Sequence, residues 1–193
     1  MVSLLKLSHG IDTFNRWIGQ FFALMVLLAI LVSAGNATVR KIFDLSSNAW
    51  LELQWVLFSM VFLLCSPWTL LSNEHVRIDI VNSMLPRTVR SVIDLIGHAF
   101  FLLPLTLIMI VTSVPFFLES FRINEQSFSA GGLPQWPTKS LIAIAFTLLA
   151  LQGISELIKR IAVMRGIIPD PHAAQRSALE AEVEHIVEGT EKR

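Results

Sequence analysis

The sequence predicts an all-α membrane protein with four transmembrane helices. Amphipathic helices are expected on the bilayer surface at the N-terminus and in the loop between the second and third spans. Three observations carry this prediction. Hydrophobic residues make up 53% of the 193 residues, more than a soluble domain of this size needs beneath a water-wetted surface. They are gathered into long blocks, and roughly 20 residues at 1.5 Å each cross a hydrocarbon core about 30 Å thick. The charged residues crowd the ends of these blocks rather than their centres. The expected organisation is an N-terminal interfacial segment over 1–16, a four-helix membrane domain over 17–164 and an acidic cytoplasmic tail over 165–193.

The interfacial segment is read from Leu4, Leu7, Ile11 and Phe14, which fall on one face of a helix, with Lys6, Thr13 and Arg16 on another. Such a helix lies in the membrane surface and turns into the first span near Trp17. The first block, 17–39, carries no charge. It is longer than the roughly 7–15 apolar residues of a secretory signal and is read as an uncleaved span. The second block, 50–71, has Glu52 and Gln54 at its start. Ser46, Ser47 or Asn48 can cap it, and a carboxylate there suits the positive end of the helix dipole. Pro67 kinks the helix near its end, where Ser66 and Thr69 can meet freed backbone groups.

In the loop that follows, Pro86 is placed to open a helix. Val89, Val92, Ile93 and Ile96 form one stripe and Arg87, Arg90 and Asp94 the opposite one, an amphipathic ramp that lets the arginines meet lipid headgroups or a partner's acidic loop. Arg90 and Asp94 are also spaced as an i,i+4 pair. The third block, 93–117, contains Pro104 and Pro115; the fourth, 140–158, is interrupted mainly by Gln152 and Gly153, with Glu156 at its exit beside Lys159 and Arg160. Between them, Gly131 and Gly132 permit positive φ while Pro134 and Pro137 forbid helix, so the backbone must turn. Trp136 suits the headgroup level. Lys6, Arg16, Arg77, Arg87, Arg90, Lys159, Arg160 and Arg165 flank one side, against Arg40, Lys41, Arg122 and Lys139 on the other. The positive-inside bias therefore places both termini in the cytoplasm. Acidic residues dominate beyond Pro169, which fits a tail that orders on meeting a partner.

Several functions lack their minimum parts. The net charge is +0 and no basic face or motif speaks for nucleic acid. The one cysteine, Cys65, lies in an apolar block and reads as a small buried hydrophobe. Of the histidines, only His98 lies near a span, so a bis-histidine haem has no facing pair. Hydrolase, zinc-protease and ATPase motifs are missing, so no enzyme activity and no cofactor are expected. Charges absent from the span centres suit a support better than a transport pathway.

Glu52-Leu53-Gln54-Trp55-Val56-Leu57-Phe58, Asn73-Glu74-His75-Val76-Arg77-Ile78-Asp79 and Leu85-Pro86-Arg87-Thr88-Val89-Arg90 resemble the small permease subunit (DctQ-like) of tripartite ATP-independent periplasmic (TRAP) transporters. So do Glu125-Gln126-Ser127, the turn Gly132-Leu133-Pro134-Gln135-Trp136-Pro137 and residues 146–152. The resemblance implies a bacterial inner-membrane protein that pairs with a large multi-span permease subunit carrying the substrate and sodium sites. A periplasmic solute-binding protein would deliver an organic acid such as a dicarboxylate, in ion-driven symport. The small subunit would be a non-catalytic scaffold in contact with membrane lipids. Glu52, His75, Arg77, Asp79, Glu125 and Ser127 match recurring motif positions, as candidates for partner contact or for local structure. A membrane anchor of a redox enzyme and a free-standing membrane adaptor are the competing readings.

Overall fold

The computed structural model describes residues 2–44, 47–72 and 87–169. The segment holding His75, Arg77 and Asp79 and the acidic tail lie outside the described residues. The described chain is helical, as the sequence predicts: α1 (Val2–Ala23), α2 (Met25–Phe43), α3 (Asn48–Leu71), α4 (Arg87–Ile96), a π-helical stretch (Gly97–Leu102), α5 (Leu103–Arg122) and α6 (Trp136–Met164). Among the described residues, four helical stretches are long and apolar enough to cross a membrane: Ser3–Phe43, Asn48–Leu71, Ser91–Arg122 and Trp136–Met164.

Each boundary has a local cause. α1 and α2 form one helical path broken only at Leu24, and α2 stops where Asp44 takes a left-handed conformation (φ 53). Arg40 and Lys41 occupy its last turn, where cations suit the negative helix end. Pro67 is buried inside α3, and Thr69 donates its hydroxyl to the Cys65 carbonyl at 3.1 Å two residues on. Before Pro104 the backbone widens to π geometry, and Leu103 N–H reaches the His98 carbonyl. A proline ring crowds the carbonyl four residues back, and the wider turn relieves that crowding.

α6 is the axis of the domain. It packs along α5, α3 and α1, and against α4, whereas α2 packs along α3 and meets α1 only at their junction. The order α2, α3, α6, α5 therefore makes an open layer, with α1 lying across α3 and α6. The apolar centre is Leu64 of α3 with Leu141, Ala145 and Leu148 of α6, flanked by Ile18, Phe22, Val56, Met60 and Leu63. α2 buries no residue at all. Large apolar side chains such as Leu27, Leu31, Trp55, Phe58, Phe62, Phe100, Phe101 and Val111 point away from the layer, as hydrocarbon-facing or partner-facing surfaces require. α4 follows the same logic: Val89, Val92, Ile93 and Ile96 are exposed, and Asp94 faces inward onto α6.

Close approach of α1 and α3 depends on Gly19. A Cβ there would sit 2.5 Å from Trp68 Cβ and 2.8 Å from Trp68 Cγ, atoms at the root of the side chain that cannot swing aside. Cys65 Sγ lies 3.4 Å from the Gly19 carbonyl in the same contact. Gly19→Val is expected to push the helices apart and lower unfolding stability by about 2 kcal/mol or more. Gly10, with nothing within 4 Å, is the control: Gly10→Ala should be neutral or stabilising by up to about 1 kcal/mol through helix propensity. Thermal unfolding of the two variants in one detergent checks both signs.

Candidate functional site

Two polar clusters occupy opposite ends of the layer. At the end bearing the N-terminal half of α1 and the C-terminal half of α6, Ser8, Asp12, Asn15 and Gly19 recur at helical spacing on the face of α1 that meets α6 and α3. Gln152, Ser155, Glu156 and Lys159 recur likewise on α6. Asp12 Oδ1 accepts from Gln152 Nε2 (2.9 Å) and Ser155 Oγ (2.7 Å), and Asp12 Oδ2 accepts from Lys159 Nζ (2.9 Å). Glu156 Oε1 accepts from Gln152 Nε2 (3.0 Å) and Lys159 Nζ (2.6 Å). Gln152 Oε1 accepts from Asn15 Nδ2 at 2.8 Å. Since Ser155 gives its hydrogen to Asp12, the 2.7 Å contact between the two serine hydroxyls has Ser8 as donor.

These groups are almost wholly removed from solvent: Ser8, Asn15, Gln152 and Ser155 are each 1% exposed or less. Two carboxylates thus share one ammonium, with neutral amides and hydroxyls filling the remaining directions. The Asn15 Oδ1 atom is buried without a partner among the described residues. Next to this cluster Arg160 pairs with Asp94 of α4 at 2.6 Å, and His98 Nδ1 lies 2.6 Å from the Asp94 carbonyl, so that nitrogen carries the hydrogen. Lys159 pairs with Glu156 within α6, while Arg160 reaches across to Asp94. The Arg90 side chain lies outside the described residues.

At the other end, the connection between α5 and α6 is a short two-armed turn. Gln126 and Pro134 form an antiparallel bridge, Ser127 N–H donates to the Leu133 carbonyl (3.2 Å) and Gly132 N–H to the Ser129 carbonyl (3.0 Å). Gly131 has φ 72, the conformation that glycine adopts without strain. α3 grips this turn from the side. The Glu52 carboxylate accepts the Ser127 hydroxyl and, at 2.6 Å, the Leu133 N–H. Asn48 Nδ2 donates to the Ala130 carbonyl at 3.0 Å. Gly132 is obligatory for that grip, since a Cβ would meet Ser127 Cβ at 2.5 Å and Glu52 Oε1 at 2.7 Å. Lys139 of α6 closes the base by pairing with Glu125 while lying over the Phe116 ring at 4.0 Å. That ammonium holds the Glu125 carboxyl below the usual glutamate range. Trp136 meets Phe121 edge to face at 5.4 Å.

Of the residues singled out from the sequence, Glu52, Glu125 and Ser127 come together in this one turn, separated in sequence but engaged in its bracing. Glu52 differs from the helix-start reading: α3 begins at Asn48, has no acidic residue in its first turn and no side-chain cap bond. Its carboxylate serves the turn instead. His75, Arg77 and Asp79 lie outside the described residues. The α1 half of the other cluster escaped sequence reasoning, although Ser8, Asp12, Asn15 and Gly19 have the spacing of one helix face. The apolar stripe beside it drew attention first, and in the structure Leu4, Leu7 and Phe14 of that stripe are exposed while Ser8, Asn15 and Gly19 are buried and Asp12 part-buried. Among the described residues no group of three histidines, cysteines or carboxylates is arranged to hold a metal ion.

A family model described as tripartite ATP-independent periplasmic transporters, DctQ component, matches residues 28–163. No curated protein and no solved structure matches the chain. The matched stretch runs from α2 to the end of α6, covers the braced turn whole, and leaves Ser8, Asp12 and Asn15 outside it.

Both clusters make measurable predictions. Lys159→Met leaves the buried Glu156 and part-buried Asp12 carboxylates without their shared cation, so the domain should lose about 3 kcal/mol or more. Adding Asp12→Asn, which removes one orphaned charge, should recover part of that loss in the same unfolding assay. For Glu125, a folded-state carboxyl held below its unfolded range contributes stability above about pH 4.3 and loses it as pH falls through the lowered value. Amide protection factors in the turn, with intrinsic exchange rates divided out, should therefore drop in acid. Lys139→Met should reduce protection at neutral pH and flatten that acid dependence.

Proposed function

The chain belongs to the DctQ family, the small membrane component of tripartite ATP-independent periplasmic transporters, and on that premise we propose that it is a fixed scaffold for a large multi-span permease subunit. The observation that carries this reading is the construction of the layer. Its buried polar groups join its own helices to one another, and its apolar side chains face outward along both sides of α2 and α3. Two open apolar grooves flank that pair. One, about 530 Å³, is lined by Leu31, Val32, Gly35, Asn36, Val39, Ser47 and Trp50. The other, about 540 Å³, runs past Ala29, Ser33, Ala37, Gln54, Trp55 and Phe58. Small residues on α2 let a neighbouring helix approach closely, so this edge suits contact with a partner's helix or with lipid.

The remaining parts of the reading follow from the family and from charge placement. The braced turn lies on the periplasmic side and both termini are cytoplasmic, by the positive-inside bias. Transport is driven by an ion gradient, with sodium as the coupling ion and an organic acid, a dicarboxylate among the candidates, as solute. The chemistry of solute and ion recognition belongs to the large subunit, and this chain contributes no catalytic step. A periplasmic solute-binding protein delivers the solute, and the turn forms part of its docking surface. Support for rigidity comes from the two polar clusters, which fix α1 to α6 largely by buried bonds and α3 to the turn by part-buried ones that a moving element would have to break.

The test is genetic and biochemical. Purification in mild detergent is expected to retain a larger multi-span chain, and deletion of this chain is expected to abolish sodium-dependent organic-acid uptake by membrane vesicles. Uptake that continues undiminished without it would overturn the scaffold role.

A further inference from the structure

The third span changes helical phase partway along, and the change decides which side of α4 meets α6. Thr106, Ser113 and Ser120 are the buried residues of α5. They recur every seven positions and mark one line along the helix, on the face packed against α6. Carried back as an unbroken α-helix at about 100° per residue, that line passes within roughly 40° of Val92 and misses Asp94 by roughly 120°. The structure has the reverse. Asp94 pairs with Arg160 of α6 at 2.6 Å, both side chains being nearly buried, whereas Val92 and Ile96 are exposed.

The π-helical stretch between α4 and α5 supplies the difference. A π bond reaches the carbonyl five residues back, as the Leu103 N–H does to His98, so the stretch holds one residue more than the α turn it replaces. One residue is about 100° of phase, which brings Asp94 within roughly 20° of the buried line and carries Val92 roughly 140° away. Pro104 does not by itself account for the wide turn. Pro67 and Pro115 lie inside α3 and α5 with α-helical geometry around them. At Pro104, relief of the ring's crowding and the change of phase coincide. The stretch is held on both sides. A Cβ at Gly153 of α6 would lie 3.0 Å from Leu102 Cδ2, and His98 Nδ1 meets the Asp94 carbonyl at 2.6 Å, which ties the stretch to α4.

We propose that the π stretch is a one-residue phase adapter, a positioning element that lets α5 keep its polar line on α6 while α4 turns Asp94 onto Arg160. An uninterrupted helix would keep one contact and lose the other, leaving Arg160 without Asp94 and placing that carboxylate away from α6. The proposal rests on the geometry of this span and not on the scaffold reading, so the two fail separately.

The test varies length rather than side-chain chemistry, on the full chain purified in mild detergent with whatever membrane chain it retains. Deletion of Ala99 removes the extra residue and lets the stretch close to α geometry with α4 still in phase. The unfolding temperature of that chain should stay within about 3 °C of the parent. An alanine inserted after Ala99 should turn Asp94 about 100° further from Arg160 and lower the unfolding temperature by about 5 °C or more. The pair itself is read by a double-mutant cycle of Asp94→Asn and Arg160→Gln. The two substitutions should be non-additive in the parent and in the deletion chain, and additive in the insertion chain. A deletion that unfolds the chain or abolishes the coupling overturns the adapter, because a span without a spare residue responds in that way. Coupling retained in the insertion chain overturns it as well, since residue count would then not fix the phase.

Discussion

Gln152 is the side chain on which the arrangement of the domain turns. Its amide nitrogen serves Asp12 and Glu156 and its oxygen takes the Asn15 amide, so one neutral group at the centre of α6 orders two carboxylates and a carboxamide. In hydrocarbon a polar group left without a partner costs several kcal/mol, which makes such bonds obligatory rather than optional. The partners recur every three or four residues on both helices, so α1 and α6 fit in one register. A slip by a single residue would rotate Asp12 away from Lys159 and leave charge buried and unpaired.

The opposite end solves a different problem with similar means. A turn between two spans carries backbone groups that no helix satisfies, and it must be covered or wetted. Here α3 supplies the missing partners through Glu52 and Asn48, which joins the α5–α6 connection to a helix distant in sequence. The layer is thereby cross-linked at both ends, while its middle is held by apolar contact among Leu64, Leu141, Ala145 and Leu148. Glycines at two contacts, Gly19 against Trp68 and Gly132 against Ser127 and Glu52, set how closely these parts approach.

The architecture was legible where it depends on composition along the chain. Apolar blocks longer than a bilayer announce spans, and Gly131, Gly132, Pro134 and Pro137 announce a turn, because these are local properties. What was not legible depends on pairing. A polar stripe on α1 is as compatible with water as with a neighbouring helix, and only the position of α6 reveals that Ser8 and Asn15 are buried and Asp12 part-buried. The same holds for Glu52: near a helix start its carboxylate fits the dipole, and no local signal says that a turn some 75 residues later will claim it. Glu125 and Ser127 could be singled out by motif, and the reason they matter to the fold, the bracing of one turn, emerged from their contacts.

This distribution of polar and apolar contacts has a mechanical consequence. Relative sliding of α1 and α6 requires breaking charge-assisted bonds among buried groups, and tilting α3 away from the turn requires releasing the Glu52 carboxylate from two donors. No such bond holds the outward face of α2, whose residues are all at least partly exposed. Displacement of the layer against a neighbour therefore meets only dispersion and lipid-exchange terms at that face, each small and continuous along the contact. Motion within the layer is resisted by discrete bonds. A body with stiff interior joints and smooth apolar flanks moves as one piece or stays in place while its neighbour moves. That asymmetry is the physical content of the scaffold role proposed for this chain, and it arises because the charges are spent inside the layer rather than at its edge.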